Sequence, residues 1–124
     1  MSLTIDGTTY DIPVISLTRK ADFLDKFAER TEDGVLHREL IGVYFNYYLQ
    51  LGSITDEAEY AALWDRLTTP EEFHAVTVPD EGGDYTFTAY FASVSDEHRR
   101  TKDAVNFWKN LTVHFIAESP ARTP

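Results

Sequence analysis

The sequence predicts a mainly β protein, an antiparallel β-sandwich or open barrel of about six or seven strands with one flanking α-helix. Three features support this class. Apolar and polar residues alternate over most of the 124 residues, with the period of half-buried strands. Turn signals separate the alternating stretches, and one segment alone has a clear apolar stripe at helical spacing. Successive strands usually pair with each other, so we expect a mainly antiparallel sheet in a single domain spanning residues 1–124.

The N-terminal part is predicted to begin with a β-hairpin. In "LTIDGTTYDIPV", Asp6-Gly7 separates two short β-prone runs, and Pro13 then indicates an edge or a bend. The next stretch alternates, but Phe23, Leu24 and Phe27 also have helical spacing, which leaves a helix over residues 20–30 as the alternative. We favour a strand that runs into a turn-rich connection, "DKFAERTEDG".

A long strand over residues 37–51 follows. In "LIGVYFNYYLQLG" the odd positions, from Ile41 to Leu51, are apolar throughout and form a core face. The even positions carry Leu40, Tyr44 and Tyr48, although a solvated face normally holds Lys, Glu or Thr. This second face is therefore predicted to be covered, either by the helix or by another chain.

The helix is predicted near Asp56 to Leu67, in "SITDEAEYAALWDRLTTP". Thr55 is the expected N-cap, and Asp56 and Glu57 follow in the first turn, where the helix dipole favours acidic residues. Pro70 ends the helix. The inward side chains should be Tyr60, Leu63, Trp64 and Leu67.

Three more strands are predicted in "EFHAVTVP", "DYTFTAYFASV" and "FWKNLTVHFIA", with the turn "DEGGD" between the first two. The last strand places Leu111, Val113, Phe115 and Ala117 on one face. The tail "ESPARTP" is expected to be extended.

The composition excludes several classes of site and partner. A net charge of −10 argues against binding to nucleic-acid backbones and to anionic membrane surfaces. Without cysteine the chain forms no disulfides and no thiolate metal sites. The first residues have neither the basic region nor the apolar run of a signal peptide, and no segment has the roughly 20 apolar residues that a membrane span needs.

Catalytic signatures are also missing from the sequence. There is no G-x-S-x-G motif and no phosphate-binding glycine loop. Glu71 and His74 have metal-ligand spacing for a helix, but at the start of a strand positions i and i+3 point to opposite faces. Each of the four histidines is therefore interpreted as structural. We expect no enzyme activity, no metal and no cofactor.

The one basic cluster is "DEHRRTK", residues 96–102, with Arg99, Arg100 and Lys102. It is interpreted as a solvated loop or as a segment that pairs with an acidic surface on a neighbouring subunit. Contact with phosphate is the other interpretation.

The sequence has more aromatic residues than one core face of the sheet needs. Tyr and Trp are common at interface hot spots because they combine an apolar body with a polar tip. The predicted interface residues are Tyr44, Tyr48, Tyr90 and Trp108. Alternatively, the sandwich is closed on both sides, with the helix over one face.

Four stretches of the sequence carry a family resemblance: "LHRELIGVYFNYYL", "AEYAALWDRLTTPEEFHAVTVP", "DYTFTAYFASVSDE" and "FWKNLTVHFIAESPART". Through them the chain resembles short proteins encoded in the tail modules of prophages in gut Firmicutes. The resemblance implies a structural protein of the virion, assembled in the bacterial cytoplasm and partnered by itself or by other tail proteins. It also implies a tail-tube-like fold that forms rings. The sequence shows no clear long tube-forming loop, so a tail-accessory role is equally open.

The net charge of −10 agrees with a role in a tail tube, because the wall of a DNA conduit should not bind DNA. Two other classes remain. One is a small ligand- or carbohydrate-binding β-module, which a pocket lined by several aromatic residues would favour. The other is a small α+β enzyme with an acidic site, which a buried carboxylate or histidine with a strongly shifted pKa would favour.

Overall fold

A computed structural model describes residues 2–11, 14–52 and 56–124, and it confirms the predicted class: mainly β with one helix in these ranges. The Asp6-Gly7 hairpin is confirmed, whereas Pro13 lies outside the described residues. No helix in the described ranges is long and apolar enough to span a membrane.

The strands are β1 (Ser2–Ile5), β2 (Thr8–Asp11), β3 (Val14–Arg30), β4 (Leu36–Leu51), β5 (His74–Asp80), β6 (Gly83–Lys102) and β7 (Val105–Ala117), and the helix is α1 (Glu57–Leu67).

All seven strands belong to one antiparallel sheet with the order β2-β1-β5-β6-β7-β4-β3. Arg19 on β3 nevertheless forms ion pairs with Asp80 at the end of β5 and with the adjacent Glu81. Strands that far apart in the order meet only if the sheet curls, so the sheet forms an open barrel.

The core lies inside the curl. α1 contributes buried Tyr60, Leu63 and Leu67, as predicted, while Trp64 is only partly buried at the margin of the core. Each fully buried aliphatic side chain stabilises the fold by about 1.5–3 kcal/mol. Fully buried residues of the sheet include Leu3, Ile5, Leu49, Val76, Val113 and Phe115.

The N-cap of α1 is Asp56, whose Oδ1 accepts a hydrogen bond of 3.1 Å from the Glu59 amide. The predicted cap, Thr55, lies outside the described residues. The prediction was one residue too early because threonine and aspartate both supply the oxygen that a cap requires.

Two segments predicted to be irregular are strands. β3 continues through "DKFAER" to Arg30, which pairs with Leu36, and "DEHRRTK" belongs to β6, where Arg100 pairs with Phe107. In both places an antiparallel partner, interrupted by β-bulges, provides backbone hydrogen bonds that local sequence does not reveal. The β6–β7 turn places Asp103 and Ala104 at φ 52° and 63°.

The odd face of β4 is buried from Val43 to Leu51, with Phe45 partly buried, as predicted. Ile41 was expected on the same face, but it is exposed. The register skips this residue, since Leu24 pairs with Gly42 and Asp25 with Leu40. A β-bulge of this kind changes the face on which the following side chains lie.

The C-terminal tail forms a strap that pairs alongside β4, with an antiparallel bridge between Val43 and Arg122. The Ala121 amide donates to the Val43 carbonyl at 2.8 Å, and the Val43 amide donates to the Arg122 carbonyl at 2.9 Å. A Cβ atom on Gly42 would lie 2.6 Å from Cβ of Pro120, so the close approach of the tail to β4 requires glycine at this position.

Candidate functional site

The most exposed apolar surface lies on a hairpin that extends beyond the barrel. β7 pairs with β4 only from Tyr47 to Gln50, so the outer part of the β3–β4 hairpin lacks that partner. We call residues 23–41 the arm. Its exposed apolar side chains are Phe23, Leu24, Phe27, Val35, Leu36 and Ile41, from 43% to 60% exposed. They lie on both faces of the arm, because Phe23 and Leu24 are consecutive residues of β3. So many exposed apolar side chains on one hairpin are unusual for a monomeric surface.

The arm is internally braced. Arg38 Nε donates to Asp25 Oδ1 at 2.5 Å, and its guanidinium lies 5.5 Å from the centre of the Phe23 ring. At the tip, Arg30 donates to the Gly34 carbonyl at 2.9 Å. These contacts hold the two strands together where no core lies beneath them.

The arm has a net negative charge. Residues 23–41 hold five acidic and three basic side chains. Near the tip of the β6–β7 hairpin, residues 98–102 hold three basic and no acidic side chains, with Asp96 and Glu97 before them and Asp103 after them in the turn. We call residues 98–102 the basic tip. Within the described ranges neither Arg99 nor Lys102 forms an ion pair, and Arg100 lies 5.3 Å from the Phe107 ring centre.

Three of the four predicted interface residues lie on the outer face of the sheet. Tyr44 is half-buried, while Tyr48 and Tyr90 are 36% and 44% exposed. The Tyr48 ring meets His114 edge to face at 4.5 Å. The helix packs on the core side of the sheet, so it does not cover this face.

The fourth predicted residue, Trp108, lies elsewhere. With Tyr60 and Trp64 of α1 it lines a groove of about 410 Å³ between the helix and the β6–β7 hairpin. We call this space the helix groove. At the edge of the helix groove, the Tyr60 hydroxyl donates a hydrogen bond to the Asp96 carboxylate. Burial, and then this bond, raise the pKa of Tyr60 well above its usual value.

A second polar cluster joins β5 to the β1–β2 turn. His74 is 3% exposed and stacks on Phe91 with ring centres 4.6 Å apart. Its Nδ1 lies 2.7 Å from Asp6 Oδ2 and 3.7 Å from Glu71 Oε2. The expectation that Glu71 and His74 point apart was wrong, because Glu71 precedes the strand and turns back towards the ring.

Asp6, Glu71 and His74 are the residues, within the described ranges, whose ligand atoms lie close enough together to hold a metal ion. Arg66 Nη1 also lies 3.6 Å from Asp6 Oδ2, so one cation already lies beside this carboxylate. The arrangement explains how a histidine is accommodated on the core face, as the structural interpretation of His74 requires. The absence of a metal stays a prediction.

Sequence reasoning missed the arm and the helix groove. One signal for the arm was present: Phe23, Leu24 and Phe27 do not share one face of a regular strand, so one flat sheet cannot bury all three. Trp64 and Trp108 are too far apart in sequence for their contact with one groove to be visible.

No protein-family model matches this sequence, and no curated protein matches it closely enough to count as a relative.

Proposed function

We propose that this protein is a self-associating structural protein of a phage or prophage tail, whose copies join through the arm. The observation that carries the proposal is the set of six exposed apolar side chains on the arm. Burying such side chains against another subunit removes them from water, and a hairpin with this many exposed apolar side chains is a candidate partner site.

The partner we propose is a second copy of the chain, because the molecule carries complementary charges on two separate hairpins. The arm has an excess of two acidic groups, and the basic tip has an excess of three basic groups. A contact between the arm of one copy and the basic tip of the next uses two different surfaces. Such a heterologous contact continues from copy to copy and produces a ring or a filament.

The free edge of β3 gives this association a backbone component. β3 is the last strand in the sheet and spans 17 residues. A long edge strand exposes a row of unpaired amides and carbonyls, which favours pairing with another chain. Tyr44 and Tyr48, on the outer face of β4, can extend the contact beyond the arm.

The tail context comes from the resemblance to prophage tail proteins and is supported by two properties. A ring-forming subunit needs a projecting surface, which the arm supplies. A tail conduit also needs walls that repel DNA, and a net charge of −10 per subunit fits that need.

Light scattering across a concentration series tests the proposal on the wild type, Phe27→Lys and Tyr48→Lys. We expect the wild type to associate, Phe27→Lys to lose association, and Tyr48→Lys to weaken it. All three should melt alike, because both side chains are exposed. Thr86→Lys, at another exposed strand position, introduces the same charge and should associate like the wild type. A wild type that stays monomeric at high concentration refutes the proposal.

A further inference from the structure

The helix groove has an unusual combination of walls. One wall consists of residues on one side of α1, at the spacing i, i+3, i+4, i+7 and i+8, which brings Tyr60 and Trp64 together with two carboxylates, Glu57 and Asp65. The opposite wall is formed by Asp96, Asn106 and Trp108 of the β6–β7 hairpin. Three aromatic rings and three carboxylates thus line the groove. Its volume of about 410 Å³ is in the size range of small-molecule sites.

The electrostatics of the groove favour a positive ligand. Among the described residues, none of the side chains that line it is basic. Within the described ranges, no ion pair connects Glu57, Asp65 or Asp96 to a Lys, Arg or His side chain. The faces of aromatic rings are also electronegative, so rings and carboxylates attract the same charge.

A bare metal ion fits the groove less well than a larger cation. Among the described residues, the three groove carboxylates do not converge as a set of metal ligands. The aromatic rings offer contact area that an inorganic ion does not use. An organic cation satisfies both features, because its charge is spread over several atoms and its apolar surface can lie against tryptophan.

We propose that the helix groove is a binding site for a small organic cation, an ammonium or guanidinium group on a short apolar stem. The cationic group lies near Glu57, Asp65 and Asp96, and the stem contacts Trp64 and Trp108. A neutral ligand such as a sugar can stack on the same rings, but it leaves the three negative charges uncompensated. This site is independent of association through the arm.

The two tryptophans provide a direct probe. They are the only tryptophans in the chain, and both line the groove, so intrinsic fluorescence reports on this site. The titration uses choline, methylguanidinium, the neutral choline isostere 3,3-dimethylbutan-1-ol, and N-acetylglucosamine. We expect saturable changes with at least one cation at about 1 mM, weakened by added salt, and none with the two neutral compounds.

Variants connect the signal to the groove. Asp65→Asn should weaken cation binding about threefold to tenfold, because it removes one nearby charge while keeping the shape of the side chain. Glu72→Gln removes an acidic group outside the groove and should bind like the wild type. Thermal melting of both variants shows whether the fold is unchanged.

The proposal fails if neither cation gives a saturable change, or if the neutral isostere binds as tightly as choline. It also fails if N-acetylglucosamine binds better than both cations, which would make the groove a carbohydrate site. If Asp65→Asn and Glu72→Gln weaken cation binding equally, the binding depends on the net charge of the protein and not on the groove. That result would also overturn the proposal.

Discussion

Asp6 Oδ2 lies 2.7 Å from Nδ1 of the buried His74, and this contact connects the β1–β2 turn to the first residue of β5. The other carboxylate oxygen, Oδ1, accepts the Ala75 amide at 2.9 Å. One aspartate therefore holds two strands in register and satisfies a polar ring inside the core. Its contacts give the fold a specific dependence on pH.

Asp6→Asn should destabilise the fold at neutral pH by about 1–3 kcal/mol, since it removes a charged hydrogen-bond acceptor. Partial burial alone would raise the pKa of Asp6, but the bonds from His74 and the Ala75 amide lower it below 3.8. The stabilisation is therefore present above pH 3.8 and disappears as the pH falls through the lowered value. Urea unfolding of both proteins between pH 7 and pH 3 should show the difference shrinking in acid. A difference that is constant with pH would contradict this account, and Glu72→Gln is the control.

Tyr47→Phe should leave the stability unchanged or raise it by about 1 kcal/mol. The Tyr47 hydroxyl is buried, and among the described residues no hydrogen bond to it meets the usual distance and angle limits. Burial raises the pKa of this phenol, whereas the nearby Arg19 guanidinium lowers it by a smaller amount. Thermal and urea unfolding measure the effect. A loss of more than 1 kcal/mol would show that the hydroxyl has a stabilising contact after all.

Gly42→Val should displace the C-terminal strap and cost about 1–3 kcal/mol, because its Cβ would overlap with Pro120. Hydrogen exchange should become faster at the Val43 and Ala121 amides, which form the strap's hydrogen bonds. Gly82→Val is the matched control, since a Cβ there meets no atom within 4 Å. If exchange at Val43 is unchanged in Gly42→Val, the strap does not hold β4 as described.

The protein should not bind duplex DNA at physiological salt, because its net charge of −10 makes the sequence-independent electrostatic interaction with the phosphate backbone repulsive. A mobility-shift assay over a range of salt concentrations tests this. Micromolar binding that weakens with salt would contradict it and would indicate contact through the basic tip. Arg99→Glu would then abolish the shift.

The parts of the fold that were predictable from sequence are those whose pattern is set by a single core. β4 and β7 alternate because one face of each is buried, and α1 has its stripe because Tyr60, Leu63 and Leu67 enter the same core. Outside the core this constraint disappears. The outer part of β3 and the basic tip are strands with exposed side chains, so their sequences resemble those of loops.

The sites were less predictable because they depend on contacts between distant segments. His74 and Asp6 are 68 residues apart, and the alternation of β5 gives no sign of the turn that meets it. Tyr48 and Tyr90 were identified as outward-facing aromatics, and they are exposed on the outer face. Trp108 was grouped with them, but its strand lies beside α1, which the sequence does not reveal.

Sedimentation velocity across a concentration series tests the central claim most directly, with charge reversal at both sides of the proposed contact. The wild type should associate, Arg99→Glu/Arg100→Glu should be monomeric, and Glu29→Arg/Glu32→Arg should also be monomeric. An equimolar mixture of the two double variants should recover association, because each then offers the surface that the other lacks. A mixture that stays monomeric would contradict the arm-to-tip contact, and a wild type that stays monomeric throughout would contradict self-association itself.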